Sequence, residues 1–127
     1  MTYLRLLRGV KNLAVLVEWA VEAQTEAEGL AVIRDLVMFS ELHRRDPIEK
    51  LIDVGLVGAV LKRGEIIVAV TADYVHNSKE IADGVADFRK AYPDAPAVFV
   101  VSGRVSAAAR KTFEAAKVRV NENDQLP

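Results

Sequence analysis

Cysteine is absent from the sequence and histidine occurs twice. The first absence excludes disulfides, thiolate zinc sites and cysteine nucleophiles, and the second excludes a histidine-rich metal centre. The lack of cysteine also fits a cytoplasmic protein, which is the expected location. Excess charge of either sign is missing as well. Seventeen Lys and Arg against 18 Asp and Glu leave a formal charge of −1, so no global basic field points to nucleic acid and no acidic excess points to disorder. A nucleic-acid partner is therefore not indicated by charge, although a local basic patch stays open. No unbroken apolar run approaches the roughly 18–20 residues that span a bilayer, so no membrane partner is expected. The N-terminal stretch MTYLRLLRGVKNLAVLVEWAVEA faintly imitates a signal sequence, but Arg5, Arg8 and Lys11 interrupt it and Glu18 falls where its apolar core should continue. With one Trp and three scattered Tyr, no aromatic platform is interleaved with bases for single strands.

What remains is a globular balance, 51% hydrophobic and 28% charged over 127 residues. That is one domain, large enough to bury a core without staples. It divides into a helical part over 1–45, a sheet-containing core over 46–120, and a polar tail over 121–127 that should fray. From Tyr3 to Ala23, apolar residues recur at three- and four-residue steps, which predicts a helix. A valine-rich strand over Asn12 to Trp19 is the rival. Its three cations, Arg5, Arg8 and Lys11, form a solvated face or a small anion-facing patch. Thr25 with Glu28 makes a capping box that opens a second helix running to about Leu42. The apolar surface of that helix is wider than one stripe, which suits burial on two sides or packing against a second subunit. His43, Arg44 and Arg45 place positive charge on its negative dipole end, as a C-terminal cap or a phosphate contact, before Asp46-Pro47 stops it.

The chain is organised around Leu51 to Asp73, LIDVGLVGAVLKRGEIIVAVTAD. Two apolar β-branched runs flank a Lys62-Arg63-Gly64-Glu65 reversal in which Gly64 can take positive φ. A short strand over Ile48 to Asp53 precedes them. Val57, Ala59, Leu61, Ile67 and Ala69 fall on one face and Val60, Ile66, Val68 and Val70 on the other, so both faces must be covered. Asn77 with Glu80 caps a helix that runs to Pro93. Ala97 to Val101 is an unbroken apolar strand, making a right-handed βαβ crossover. A helix over about Ser106 to Ala116 and a strand at Val118-Arg119-Val120 complete an α/β fold. Its architecture is three-layer-like: a central mixed sheet of four to five strands, hairpin plus βαβ crossover, flanked by helices with two N-terminal helices.

This order of helix, strand meander, helix, strand, helix and short strand, with LKRGEIIVAVTAD as the matching run, resembles the PD-(D/E)xK or restriction-endonuclease-like superfamily. The small archaeal proteins of that group are the nearest in kind. The resemblance extends from about Asp46 to Val120. It implies an acid on the first hairpin strand and an acid and a lysine on the second, holding a divalent cation that activates water. Counted from Gly64, the second pair falls on Val70-Thr71-Ala72 and the first acid on Gly58, so the catalytic motif is lost.

Two candidate sites remain. If Leu61 faces Glu65, positions summing to 126 are opposite one another and Asp53 faces Asp73 across the ladder. Two such carboxylates call for a cation or a basic neighbour such as Lys79, His76 or Arg104, unless a bulge at Gly55 or Gly58 shifts them. Second, the carboxyl ends of parallel strands would gather Asp73, Tyr74 and His76 with Ser102, Gly103 and Arg104. The N–H groups of Ser102-Gly103-Arg104 could hold an anion there, or Arg104 could pair with Asp73. No nucleophile triad is arguable, so no catalytic residue and no metal ligand is assigned, and no cofactor is expected. The leading expectation is a catalytically degenerate nuclease-like protein acting as a structural, interaction or oligomeric assembly module, with a homo-oligomer as its form. The alternatives are an unconventional nuclease using Asp53 and Asp73 with Mg²⁺ or Mn²⁺, and a small-ligand or anion-binding module at the strand edge.

Overall fold

The structure, a computed structural model, describes residues 7–127. The chain forms α1 (Ala14–Glu22), α2 (Glu26–Arg45), β1 (Ile48–Asp53), β2 (Val57–Leu61), β3 (Ile66–Val70), β4 (Tyr74–Val75), α3 (Lys79–Ala91), β5 (Ala97–Val101), β6 (Arg104–Val105), α4 (Ala107–Ala115) and β7 (Arg119–Asn121). Five strands make a mixed sheet in the order β1-β2-β3-β5-β7, in which β2 is antiparallel to its neighbours and β3, β5 and β7 run parallel. The carboxyl ends of β1, β3, β5 and β7 therefore share one edge of the sheet.

Alternation along the hairpin divides the core as its sequence pattern requires. Val57, Ala59, Leu61, Ile67 and Ala69 join Leu36, Phe39 and Leu42 of α2 on one face. On the other, Ile66 and Val68, with Val60 and Val70 packed beside them, meet Val85 and Phe88 of α3 and Ala109 and Phe113 of α4. The result is a three-layer α/β sandwich. The β2–β3 reversal has Gly64 at φ 98°, as its position demands, and Leu61 N–H donates to the Glu65 carbonyl at 2.8 Å. Arg63 ties this turn to the end of α2 by donating to Asp46 and Glu65, each at 2.6 Å.

Caps fall largely where side-chain chemistry places them. The Thr25 hydroxyl accepts from Glu28 N–H at 3.1 Å, and the Glu28 carboxylate reaches back one residue further than an ideal box, to Gln24 N–H at 2.6 Å. Ser106 caps α4 by accepting from Ala109 N–H at 3.0 Å. The α3 cap is Ser78 rather than Asn77: its hydroxyl accepts from Ile81 N–H at 3.2 Å, while Asn77 Oδ1 accepts from the Thr112 hydroxyl at 2.7 Å. His43 is held in structure rather than offered to a phosphate, with Nδ1 accepting from Ile48 N–H at 2.9 Å and Nε2 facing the Arg8 carbonyl at 3.2 Å.

The N-terminal segment departs from a continuous helix over 3–23. Residues 1–6 lie outside the described residues; 7–9 form a turn with Gly9 at φ 87°, and Asn12 sits at φ 65°. Only Ala14–Glu22 is helical, which also overturns the strand alternative. The reason is a competing partner. Lys11 N–H donates to the Glu49 carbonyl and accepts through its own carbonyl from Leu51 N–H, both at 2.9 Å. Asn12 Nδ2 adds a bond to the Leu51 carbonyl at 3.0 Å, and Lys11 pairs with Glu49. This segment thus lies along the outer edge of β1, so the helical part and the sheet are not separate units. The tail does not fray either. Asp124 N–H donates to the Val101 carbonyl at 2.9 Å, the Asp124 carboxylate pairs with Arg34, and Leu126 packs against the α2-side core.

Arg89 fastens the opposite end of the molecule. Its guanidinium donates to the carbonyls of Ala116, Tyr92, Ala95 and Lys117 at 2.7, 3.0, 2.6 and 2.8 Å, joining the ends of α3 and α4 to the turn before β5. Lysine cannot reproduce that fork. Arg89→Lys should lower unfolding free energy by about 2–3 kcal/mol, measured by urea denaturation with an unchanged slope.

Candidate functional site

The carboxyl edge of the sheet is where the sequence placed its candidates. The β2–β3 register has the expected sum, with Gly58 opposite Val68 and Ala59 opposite Ile67. Asp53, however, belongs to β1 and pairs with Val57, so β2 stands between it and the chain leading to Asp73. The facing of Asp53 and Asp73 is therefore corrected. Asp53 instead accepts from Gly55 N–H at 2.9 Å and from Trp19 Nε1 at 3.4 Å, closing the β1–β2 turn. Gly55 supplies positive φ in that turn and Gly58 lies within the ladder, so neither makes the anticipated bulge; the irregularity of β1 falls between Ile48 and Lys50.

Ser102, Gly103 and Arg104 carry out a structural task. Val70 pairs with Val101, an offset of 31, whereas Tyr74 pairs with Arg104, an offset of 30, so the β3 side holds one extra residue between the main sheet and the β4–β6 pair. The Ser102 hydroxyl patches that bulge by accepting from Ala72 N–H at 2.7 Å and donating to the Ala72 carbonyl at 2.8 Å. Gly103 is obligatory because a Cβ there would lie 1.9 Å from the Asp73 carbonyl oxygen. Ser102 and Arg104 N–H groups donate to the Val70 and Asp73 carbonyls, both at 2.9 Å, so they are already engaged.

The anion at this loop is the protein's own. Glu122 accepts from Val105 N–H at 2.8 Å and from Arg110 at 3.0 Å. The Val105 bond, with Arg110 and Arg104 nearby, holds its carboxyl below the usual carboxylate range. Arg104 thus acts on Glu122, and no Arg104–Asp73 ion pair occurs among the described residues. His76 stacks edge-on with Tyr74, ring centres 4.5 Å apart, and exposed Lys79 opens α3.

At the positions where the resemblance implies catalysis, Val70 and Ala72 pack toward α3 and α4. Val70 borders an apolar hollow of about 350 Å³ that also takes in Leu56, Ile81, Phe88 and a lone acid, Glu80. No group of three His, Asp or Glu side chains converges as a metal site among the described residues.

The opposite face of the same strand ends opens a cleft that sequence reasoning missed. Trp19 and Glu22 of α1, Glu28, Val32 and Asp35 of α2, and Leu56, Ala69 and Thr71 of the sheet line about 350 Å³. Asp35 lies one and two turns before the buried Phe39 and Leu42 on the core side of α2. An acid at core-facing spacing was the available signal. Burial raises its carboxyl from 3.8 to about 7, partly opposed by Arg34.

No protein-family model, no curated protein and no solved structure matches the chain. No helix among the described residues is long and apolar enough to cross a membrane.

Two outcomes follow from these environments. Gly103→Ala should be strongly destabilising, and Ser102→Ala should cost about 1–3 kcal/mol by leaving both Ala72 backbone groups unmatched, both read by thermal and urea unfolding. Because folded Asp35 retains its proton through a range in which the unfolded chain has lost it, stability falls as pH rises from 3.8 to about 7 and levels above it. Asp35→Asn should therefore raise stability at neutral and alkaline pH, by on the order of 2–4 kcal/mol, and leave it nearly unchanged near the unfolded carboxyl pKa. Chemical denaturation across pH measures both.

Proposed function

We propose that this chain is a nuclease-like α/β scaffold without a catalytic centre, acting as an interaction module that self-associates through the outer faces of α1 and α2. Support for the nuclease-like part is the element order, a helix, a three-strand meander, a helix and a parallel strand, with Val70 and Ala72 standing where the resemblance implies an acid and a lysine. Support for association is where apolar surface lies. Val17 and Val21 on α1 are 50% and 79% exposed, and Leu30, Ile33 and Val37 on α2 are 58%, 54% and 41% exposed. Their spacings place each set on one helix face. Tyr74 is the only other large hydrophobic side chain so exposed among the described residues, so this surface is concentrated on one layer.

A second copy fits that layer. Helix α2 begins with Glu26 and Glu28 and ends with His43, Arg44 and Arg45. Antiparallel pairing about a two-fold axis sets each acidic end against the other copy's basic end while joining the apolar middles. Such an isologous contact closes on itself as a dimer.

Size-exclusion chromatography with light scattering at micromolar concentration is expected to give a dimer. Ile33→Glu is expected to give a monomer, weakening association about 100-fold, with its circular dichroism unchanged. A monomeric wild-type chain would count decisively against self-association.

A further inference from the structure

The cleft between α1, α2 and the open end of the β2–β3 hairpin, where β2 begins and β3 ends, is lined by none of the exposed apolar residues of the association proposed above. Its walls are mostly apolar: Leu56, Val57 and Ala69 from the sheet, Ala31 and Val32 from α2. Trp19, the only tryptophan of the chain, presents an aromatic ring to it. Every charged side chain in the lining is acidic, namely Glu22, Glu28 and Asp35, and no Lys, Arg or His contributes. Those acids are not equivalent. Glu28 is engaged as the cap on Gln24 N–H, and Glu22 lies exposed at the end of α1. Asp35 sits deepest, with no hydrogen-bond partner among the described residues.

A part-buried carboxyl without a hydrogen-bond partner, an aromatic ring and an apolar pocket together match the chemistry of an organic ammonium. An anion would meet three acids and no base. A bare divalent ion would need ligands to converge, and among the described residues no three do. The volume, about 350 Å³, is at the small end of ligand sites and suits one ring or a short alkyl body.

We infer that this cleft is a binding site for a small organic monoamine, with Asp35 as counter-ion to the ammonium and Trp19 covering its apolar body. The bound cation stabilises the Asp35 carboxylate, so the proton Asp35 carries when the site is empty passes to solvent on binding. Around Asp35 the charged groups are Glu22 from α1 and Glu28 and Arg34 from α2, with Arg34 paired to Asp124. The strand ends add only Leu56, Val57, Ala69 and Thr71, none of which titrates in this range. Affinity therefore rises with pH through the Asp35 transition and flattens above it.

The test titrates the full chain with 2-phenylethylammonium, its neutral isostere 2-phenylethanol and the anion phenylacetate, reading Trp19 fluorescence and binding heat in two buffers of different ionisation enthalpy. The expected result is saturable ammonium binding in the millimolar range or tighter, at least fivefold stronger near pH 8 than near pH 5, with proton release. The alcohol and phenylacetate should bind at least tenfold more weakly. Asp35→Asn, which should fold more stably than wild type at neutral pH, is expected to weaken ammonium binding at least tenfold; Glu22→Gln is expected to change it far less. Equal binding of ammonium and alcohol, full affinity in Asp35→Asn, or no saturable response to the ammonium would each overturn the assignment.

Discussion

The parallel pairing of Ile66–Val70 with Ala97–Val101 is the constraint on which the other elements depend. Five consecutive residue pairs register across it, and the side chains of β5 are buried throughout. Helices α1 and α2 pack on the side presented by Ile67, Val98 and Val100, and α3 and α4 on the side presented by Val68 and Phe99. The pairing joins residues 31 positions apart in sequence, so its closure entropy must be met by burial on both faces at once. The packing of Phe99 between Phe88 and Phe113, each centre 5.3 Å away, shows how one side of that burial is made specific.

Beyond Val70 and Val101 the two strands do not stop; they step. One extra residue on the β3 side is absorbed between the main ladder and the β4–β6 pair, with Ser102 and Gly103 making the step fit. A serine-glycine-arginine run before a helix looks like an anion loop in sequence because hydroxyls, small residues and cations serve both purposes. Here backbone carbonyls and Glu122 occupy the polar groups that a ligand would use.

The fold was legible because its signals were local. Strand alternation, a five-residue apolar run and the Thr25 hydroxyl each report on neighbours a few positions away. The hairpin register was equally readable, since Gly64 and the Leu61–Glu65 closure define it. What escaped depended on distant partners. Lys11 and Asn12 abandon a helical pattern for the edge of β1, and Asp124 leaves a polar tail for Arg34 and Val101. Asp53 and Asp73 were misjudged because Asp53 belongs to β1, which pairs with the far side of β2, so β2 separates the two acids. The Asp35 cleft was visible only as an acid at core-facing spacing, and its walls come from three separated segments.

The clasp of Lys11 and Asn12 on β1 has a consequence for how this protein meets others of its kind. An outer strand offers its open backbone groups to any passing chain, and sheets that grow this way end as fibrils. Here the Glu49 carbonyl and both backbone groups of Leu51 are already taken by a segment too short, and too sharply turned at Asn12, to present a fresh strand of its own. A single stitch of chain thereby acts as a selvage, finishing the cloth of the sheet along that side.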